Sequence, residues 1–323
     1  MPPTPAPAES TLTDQPPGKK PMSNLTQRII FGAIGAALLF GCIWYSAWSF
    51  AVFFALVQAK MLLEFYRMMR KTGYAPVAAM GVGVSVLLFM GVHLIAGAGH
   101  YNTEGNSAIQ IYNADAAPGS SVAFYSFGFL IQRALLCSLV LIPVLLILRE
   151  MILWPRSKNP FGNIGVNLLG LFYVSIPMSL LSVLAFTETG YDFRRVLALL
   201  FLVWTADIGA YAAGKTMGKH KLAPNISPGK TWEGWIGGAL LTLVMGWALG
   251  YLLPDMPLSH RLVAAAVVAV FGVLGDLAES MLKRSVGVKD SGRILPGHGG
   301  LLDRFDALLL VLPVLVLLQL LVE

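Results

Sequence analysis

Two stretches of the sequence gather side chains of the kind that handle phosphate. In the stretch from Gly275 to Asp306, Asp276, Glu279, Ser280, Lys283 and Arg284 stand at i, i+3, i+4, i+7 and i+8. On a helix that spacing puts all five on one face, while Leu277, Ala278, Met281 and Leu282 fill the others. Pairing of Glu279 with Lys283 one turn on accounts for one acid. It leaves Asp276 unmatched, and an unmatched acid beside apolar sequence is costly. The alternative is a metal site beside a phosphate site. A loop follows from Gly287 to Gly300, holding Lys289, Asp290 and His298, and its glycines let backbone N–H groups approach an anion. Asp303 and Asp306 then open an apolar segment at i, i+3. There they either complement a helix dipole or supply hard oxygen ligands of the type that hold Mg2+ on phosphates. If their helices are neighbours, Asp303 and Asp276 converge on one ion. A lone His298, with Cys42 and Cys137 both in apolar runs, makes no zinc set, so His298 reads as a phosphate contact or a loop strut.

The second stretch runs from Asp207 to Glu233. Its Ser227-Pro-Gly-Lys230-Thr231 ends like a Walker A loop, but Pro224 occupies the place of that loop's first glycine and no strand is expected ahead of it. What remains is a basic loop with hydroxyls, near Lys215, Lys219, His220 and Lys221. It is either a solvated cytoplasmic loop or a phosphate binder. Asp207 and Tyr211, at i and i+4, favour the second.

The elements that must position these residues are membrane helices. Of 323 residues, 56% are hydrophobic and 12% charged, against about 25% charged in soluble domains. That excludes an ordinary soluble globule, and two cysteines exclude a disulfide scaffold. The formal charge of +6 reads as loops facing anionic lipid, not as a nucleic-acid surface. Residues 1–27, rich in Pro, Ser and Thr, are expected to form a disordered cytoplasmic tail. Nine apolar segments follow, at about 29–44, 47–66, 76–98, 124–148, 164–186, 195–213, 234–253, 261–279 and 303–322, each near the roughly 20 residues that cross a bilayer. Only Tyr45 and Ser46 separate the first two, which leaves open one long broken helix. The fold expected is all-α and polytopic, with about nine transmembrane helices and no separate soluble domain. With the tail inside, the cytoplasmic segments collect Arg67, Arg70, Lys71, Arg149, Arg156, Lys158, Lys283, Arg284, Lys289 and Arg304 besides the basic loop, while the outer segments hold Arg194, Arg195 and Arg261. That asymmetry predicts an N-terminus inside, a C-terminus outside and an outer loop over 99–123. Lys60 and Glu64, at i and i+4, read as a snorkelling pair near the inner end of the second span.

The run Ser280-Met-Leu-Lys283-Arg284, then Lys289-Asp290-Ser-Gly292, Leu295-Pro-Gly-His298-Gly-Gly300 and Asp303-Arg304-Phe-Asp306 resembles the signature of phosphatidate cytidylyltransferases, the CDP-diacylglycerol synthases. The segment 222–234, LAPNISPGKTWEG, is similar to that family's second shared block. The likeness covers roughly residues 195–323, which sets a C-terminal catalytic region apart from the N-terminal helices of 28–194. It implies conversion of CTP and phosphatidic acid to CDP-diacylglycerol and pyrophosphate, for phospholipid biosynthesis. It further implies Asp276 and Asp303 as metal ligands with Ser280 alongside, Mg2+ as the ion, and leaves open a second, monovalent cation such as K+. Lys283, Arg284, Lys289 and Arg304 would neutralise the triphosphate and the leaving pyrophosphate. Ser227, Lys230 and Thr231 would hold the nucleotide or the lipid phosphate, with His298 a further substrate contact. Asp207, Glu279, Asp290 and Asp306 would support them. A homodimer in a bacterial inner membrane, among membrane lipids, is implied as well. The rival readings are a CTP-dependent kinase of a lipid alcohol, a CDP-alcohol phosphotransferase (whose paired acid series is not found), and an ion-coupled transporter using Asp207, Asp276 and Glu279.

Overall fold

A computed structural model describes residues 24–103, 122–292 and 299–322. The tail up to residue 23, most of the expected outer loop and His298 lie outside the described residues. Nine helices follow in the described chain: α1 (Asn24–Tyr45), α2 (Ala47–Lys71), α3 (Ala78–Thr103), α4 (Val122–Ile152), α5 (Pro160–Ala185), α6 (Phe193–Met217), α7 (Trp232–Tyr251), α8 (Leu258–Ser285) and α9 (Leu302–Val322). They correspond one for one to the nine apolar segments. Eight are long and apolar enough to cross a membrane, and the apolar part of α1, Gly32–Tyr45, is shorter. The protein is an all-α, polytopic integral membrane protein.

The break between the first two helices is local chemistry. Ser46 is fully extended (φ −167°, ψ 163°) and caps α2. Its Oγ accepts the Ser49 N–H at 3.1 Å, and Ser49 Oγ accepts the Ser46 N–H at 3.0 Å, a reciprocal capping box. The Ser49 hydroxyl also donates to Cys42 O at 2.7 Å, satisfying a carbonyl at the end of α1. α2 is buried along most of its length and carries much of the apolar core, including Phe50, Phe54, Met61, Leu62 and Phe65.

Two helices contain π-helical turns, which composition does not announce. One is Leu171–Ser175 in α5, where Ser175 donates to Ser85 Oγ at 2.8 Å. The other is Val268–Gly272 in α8, where Ala269 O accepts the Trp235 indole N–H at 2.8 Å. A π turn inserts one residue into the helical register and frees carbonyls. The second turn therefore sets the face that the following Asp276, Glu279 and Ser280 present. Two small antiparallel hairpins depart from the all-helical expectation. Phe186–Thr187 (β1) pairs with Gly190–Tyr191 (β2), and Lys221–Ala223 (β3) pairs with Ser227–Thr231 (β4).

Close backbone approach draws α6 to α7 and α8 to α9, as small residues allow in membranes. A Cβ at Gly238 would stand 2.7 Å from Ala206 O, and one at Gly234 2.8 Å from Ala210 O, so α6 and α7 touch backbone to backbone. A Cβ at Gly275 would stand 2.6 Å from Asp306 O, which locks α8 against the start of α9 beside Asp276.

Candidate active site

Lys230 sits in β4 next to Thr231, the residue that caps α7: Thr231 Oγ1 accepts the Gly234 N–H at 3.1 Å. Ser227–Thr231, which resembles the end of a phosphate loop in sequence, is the second strand of a hairpin, and its threonine hydroxyl, buried, is engaged in capping. The cap fixes the exit of Lys230, whose Nζ lies 2.7 Å from Asp276 Oδ2 and 3.4 Å from Val273 O. Ser280, one turn along α8, donates to Asp276 Oδ1 at 3.1 Å. Asp207 of α6 lies within electrostatic reach of Asp276, Lys230 and Arg304. Asp306 of α9 lies within reach of Asp276, Asp207 and Lys283.

The next turn of α8 organises a second group. Lys283 Nζ bonds Asp303 Oδ1 at 2.8 Å and also pairs with Glu279, the intrahelical partner its spacing suggests. Asp303 Oδ2 accepts three hydrogen bonds: the Ser291 N–H at 3.0 Å, the Ser291 hydroxyl at 2.8 Å and the Gly300 N–H at 2.8 Å. The side chains of Lys283 and Asp303 are 14% and 12% exposed and Glu279 is fully enclosed. In such surroundings charges are only weakly screened by water. Gly299 holds a positive φ of 80° on the approach to this turn.

The structure therefore joins Asp276 to Lys230 and Ser280, and Asp303 to Lys283 and Ser291. Both groups lie along one face of α8. Arg284, Lys289, Asp290 and Arg304 are exposed around them, and Ser227 is half-buried opposite Ala223 in the hairpin. Asp276 and Asp303 take different protein partners, and among the described residues no group of three His, Cys, Asp or Glu side chains is arranged to hold a metal ion by itself.

Glu64 departs from the sequence reading. It does not reach toward solvent beside Lys60. It is 0% exposed, and its Oε2 accepts the Leu302 N–H at 2.9 Å and the Ser291 hydroxyl at 3.3 Å. An acid in an apolar span was the available signal, masked by a lysine four residues earlier. Gly292 and Gly300 press on the same carboxylate: a Cβ at either would fall 2.5 Å or less from one of its oxygens, so a side chain there would displace Glu64.

The sequence model described as the cytidylyltransferase family matches residues 26–322, through every helix and both groups just described. The chain belongs to the cytidylyltransferase family. Among curated relatives it is similar to the phosphatidate cytidylyltransferases of Staphylococcus aureus strain COL, at 46% identity over 163 residues, and of Staphylococcus epidermidis, at 45% over 163 residues. It is also similar to that of Staphylococcus saprophyticus, at 43% over 162 residues. Each of these matches covers 49% of this chain and 61% of the relative. As a member of the cytidylyltransferase family, the chain carries its acids and cations on α6, α8, α9 and the β3–β4 hairpin, the region in which the signature runs were recognised.

Proposed function

We propose that the protein transfers the cytidylyl group of CTP to phosphatidic acid, releasing pyrophosphate and leaving CDP-diacylglycerol in the membrane. The observation that carries this reading is the pair of lysine–carboxylate groups, Lys230–Asp276 and Lys283–Asp303, set along one face of α8 in a chain of this family. An incoming phosphate competes for each ammonium, and an incoming cation competes for each carboxylate. Both groups are thus built to exchange partners when a charged nucleotide arrives.

The donor set fits Mg2+. Carboxylate and hydroxyl oxygens of Asp276, Ser280 and Asp303 are hard ligands, and a site short of a full protein cage suits an ion that also takes substrate phosphate oxygens. Asp276, Ser280 and Asp303 would hold it, and a bound divalent ion would supply charge neutralisation on the phosphates. A second, monovalent cation such as K+ belongs to the same reading, carried by the family resemblance.

In the reaction a phosphate oxygen of the lipid forms a bond to the α-phosphorus of CTP, and the bond from that phosphorus to the bridging oxygen of the β-phosphate breaks. The nucleophile is already anionic at neutral pH, so no general base is required. The protein's task is alignment and charge neutralisation. Lys283 neutralises phosphate oxygens at the reacting centre, and Lys230 binds the nucleotide or the lipid phosphate. Arg284, Lys289 and Arg304, exposed at its margin, draw the departing pyrophosphate. Ser291 and Gly300 N–H groups keep Asp303 in place, and Asp207, Glu279, Asp290 and Asp306 set the local field. Ser227 and His298 complete the substrate contacts. The acyl chains stay among membrane lipids, and the working unit by resemblance is a homodimer in a bacterial plasma membrane, N-terminus inside and C-terminus outside.

The test uses the purified full chain in detergent with phosphatidic acid, Mg2+ and either CTP or ATP, with the lipid product identified by mass and pyrophosphate assayed. CDP-diacylglycerol with CTP alone is expected, abolished by chelation and restored by Mg2+. A CTP-dependent phosphorylated lipid alcohol would replace this reading with the kinase. No lipid product from intact protein would overturn it in favour of transport.

A further inference from the structure

We propose that Glu64, on the N-terminal helix α2, is a positioning residue for Asp303, acting as the shared acceptor that ties Ser291 and Leu302 to each other at the start of α9. The inference rests on the transfer reading for the importance of Asp303, but its structural content stands on its own.

Glu64 lies more than two hundred residues from Asp303 in the chain, yet the two carboxylates share one hydroxyl. Ser291 Oγ is 3.3 Å from Glu64 Oε2 and 2.8 Å from Asp303 Oδ2. A serine has a single proton to donate, so Ser291 serves one carboxylate at a time. When Asp303 is held by the Ser291 and Gly300 N–H groups and by Lys283, the Ser291 proton is free to turn to Glu64. When the proton turns to Asp303, Glu64 keeps the Leu302 N–H at 2.9 Å. That N–H is one of the unsatisfied donors at the start of α9, one residue before Asp303. Glu64 thus holds the chain at two points ahead of Asp303, at Ser291 and at Leu302. The fit is tight. Gly292 and Gly300 leave no room for a Cβ against the carboxylate, which gives these two glycines of the signature run a physical reason. Glu64 Oε1 is buried with no hydrogen-bond partner among the described residues. An oxygen buried without a partner is costly, and the carboxylate is held in place by what its other oxygen accepts.

Positioning requires an acceptor at the right reach, not a charge. Glu64→Gln keeps a carbonyl oxygen at the same distance. Glu64→Asp keeps the charge and withdraws it by one methylene. Glu64→Ala removes both. In the full chain in detergent, Ala and Asp are expected to lower kcat about tenfold or more with KM for CTP within about threefold, and Gln to recover most of the lost kcat. Hydrogen–deuterium exchange supplies a readout independent of turnover. Amides of the peptide over 286–303 should exchange faster in Ala and Asp but not in Gln, with peptides from α6 and α7 unchanged in all three. Recovery by Asp and not by Gln would overturn the proposal, because charge would then matter more than reach. Unaltered exchange over 286–303 in both Ala and Asp would overturn it equally. If Ala fails to fold, the Asp–Gln pair still decides. If the unsubstituted chain forms no lipid product, the transfer reading fails by itself, and the exchange data still test whether Glu64 holds the turn.

Discussion

Lys230 and Lys283 each hold a carboxylate, so a substitution on either side of these pairs separates binding from chemistry. Asp303→Asn removes the charge and leaves one acceptor oxygen where two serve three hydrogen bonds and one ammonium, but Lys283 keeps Glu279. The variant is expected to accumulate as folded protein and to lose turnover by about a hundredfold or more, measured as lipid product from size-exclusion-purified material. Asp276→Asn should behave alike, and unsubstituted rates in either would remove that acid from the site. Lys230→Ala is expected to raise KM for CTP about tenfold with kcat within about threefold. The opposite pattern in steady-state kinetics would place Lys230 in the transition state. The acids and cations of α8 and α9 were legible at this scale because their spacing is helical and they interrupt apolar sequence. The Glu279–Lys283 pair was legible for the same reason. Glu64 was not: local spacing offered Lys60 as its partner, while its bonds lie across the fold at Ser291 and Leu302, which one sequence cannot bring together.

At the scale of elements, contact between α8 and α9 decides whether Asp276 and Asp306 share a site. Gly275→Ala places a methyl 2.6 Å from Asp306 O and 2.9 Å from Ala307 Cα, so the helices must part. A loss of about 1–3 kcal/mol in stability and a matching loss of turnover are expected, read as a lower Tm in detergent. Gly272→Ala, whose methyl meets its nearest atoms at 3.9 Å, serves as the control, and an equal loss there would disconnect the effect from the α8–α9 contact. Trp235→Phe removes the indole donor from Ala269 O and should cost about 1 kcal/mol, again as a shift in Tm. An unchanged Tm would mean that the π turn persists without its partner. All nine helices were legible from apolar run length. The π turns were not, because Val268–Gly272 and its flanks are uniformly apolar and composition does not distinguish one helical register from another. The β3–β4 hairpin was hidden for a different reason: its five-residue strand contains Pro228 and Gly229, both poor strand formers.

For the whole molecule, the proposed orientation is an N-terminus inside and a C-terminus outside, from the nine helices among the described residues and the concentration of Lys and Arg in alternate loops. A reporter that folds only outside the cytoplasm, fused after Glu323, is expected to be active, and the same reporter placed in the loop after α4 is expected to be silent. A reversed pattern would put the acids on the wrong side of the membrane for a nucleotide made in the cytosol. The membrane class is legible from composition alone, whereas the joining of α2 to the start of α9 is a property of the packed chain. The account stands or falls on which phosphorus of CTP reaches the lipid. The direct measurement supplies phosphatidic acid with CTP labelled at the α- or the γ-phosphate and follows the label into the lipid fraction. Label from the α-position alone is predicted, with the γ-label recovered in pyrophosphate. Label from the γ-position in lipid would contradict cytidylyl transfer and make the enzyme a kinase.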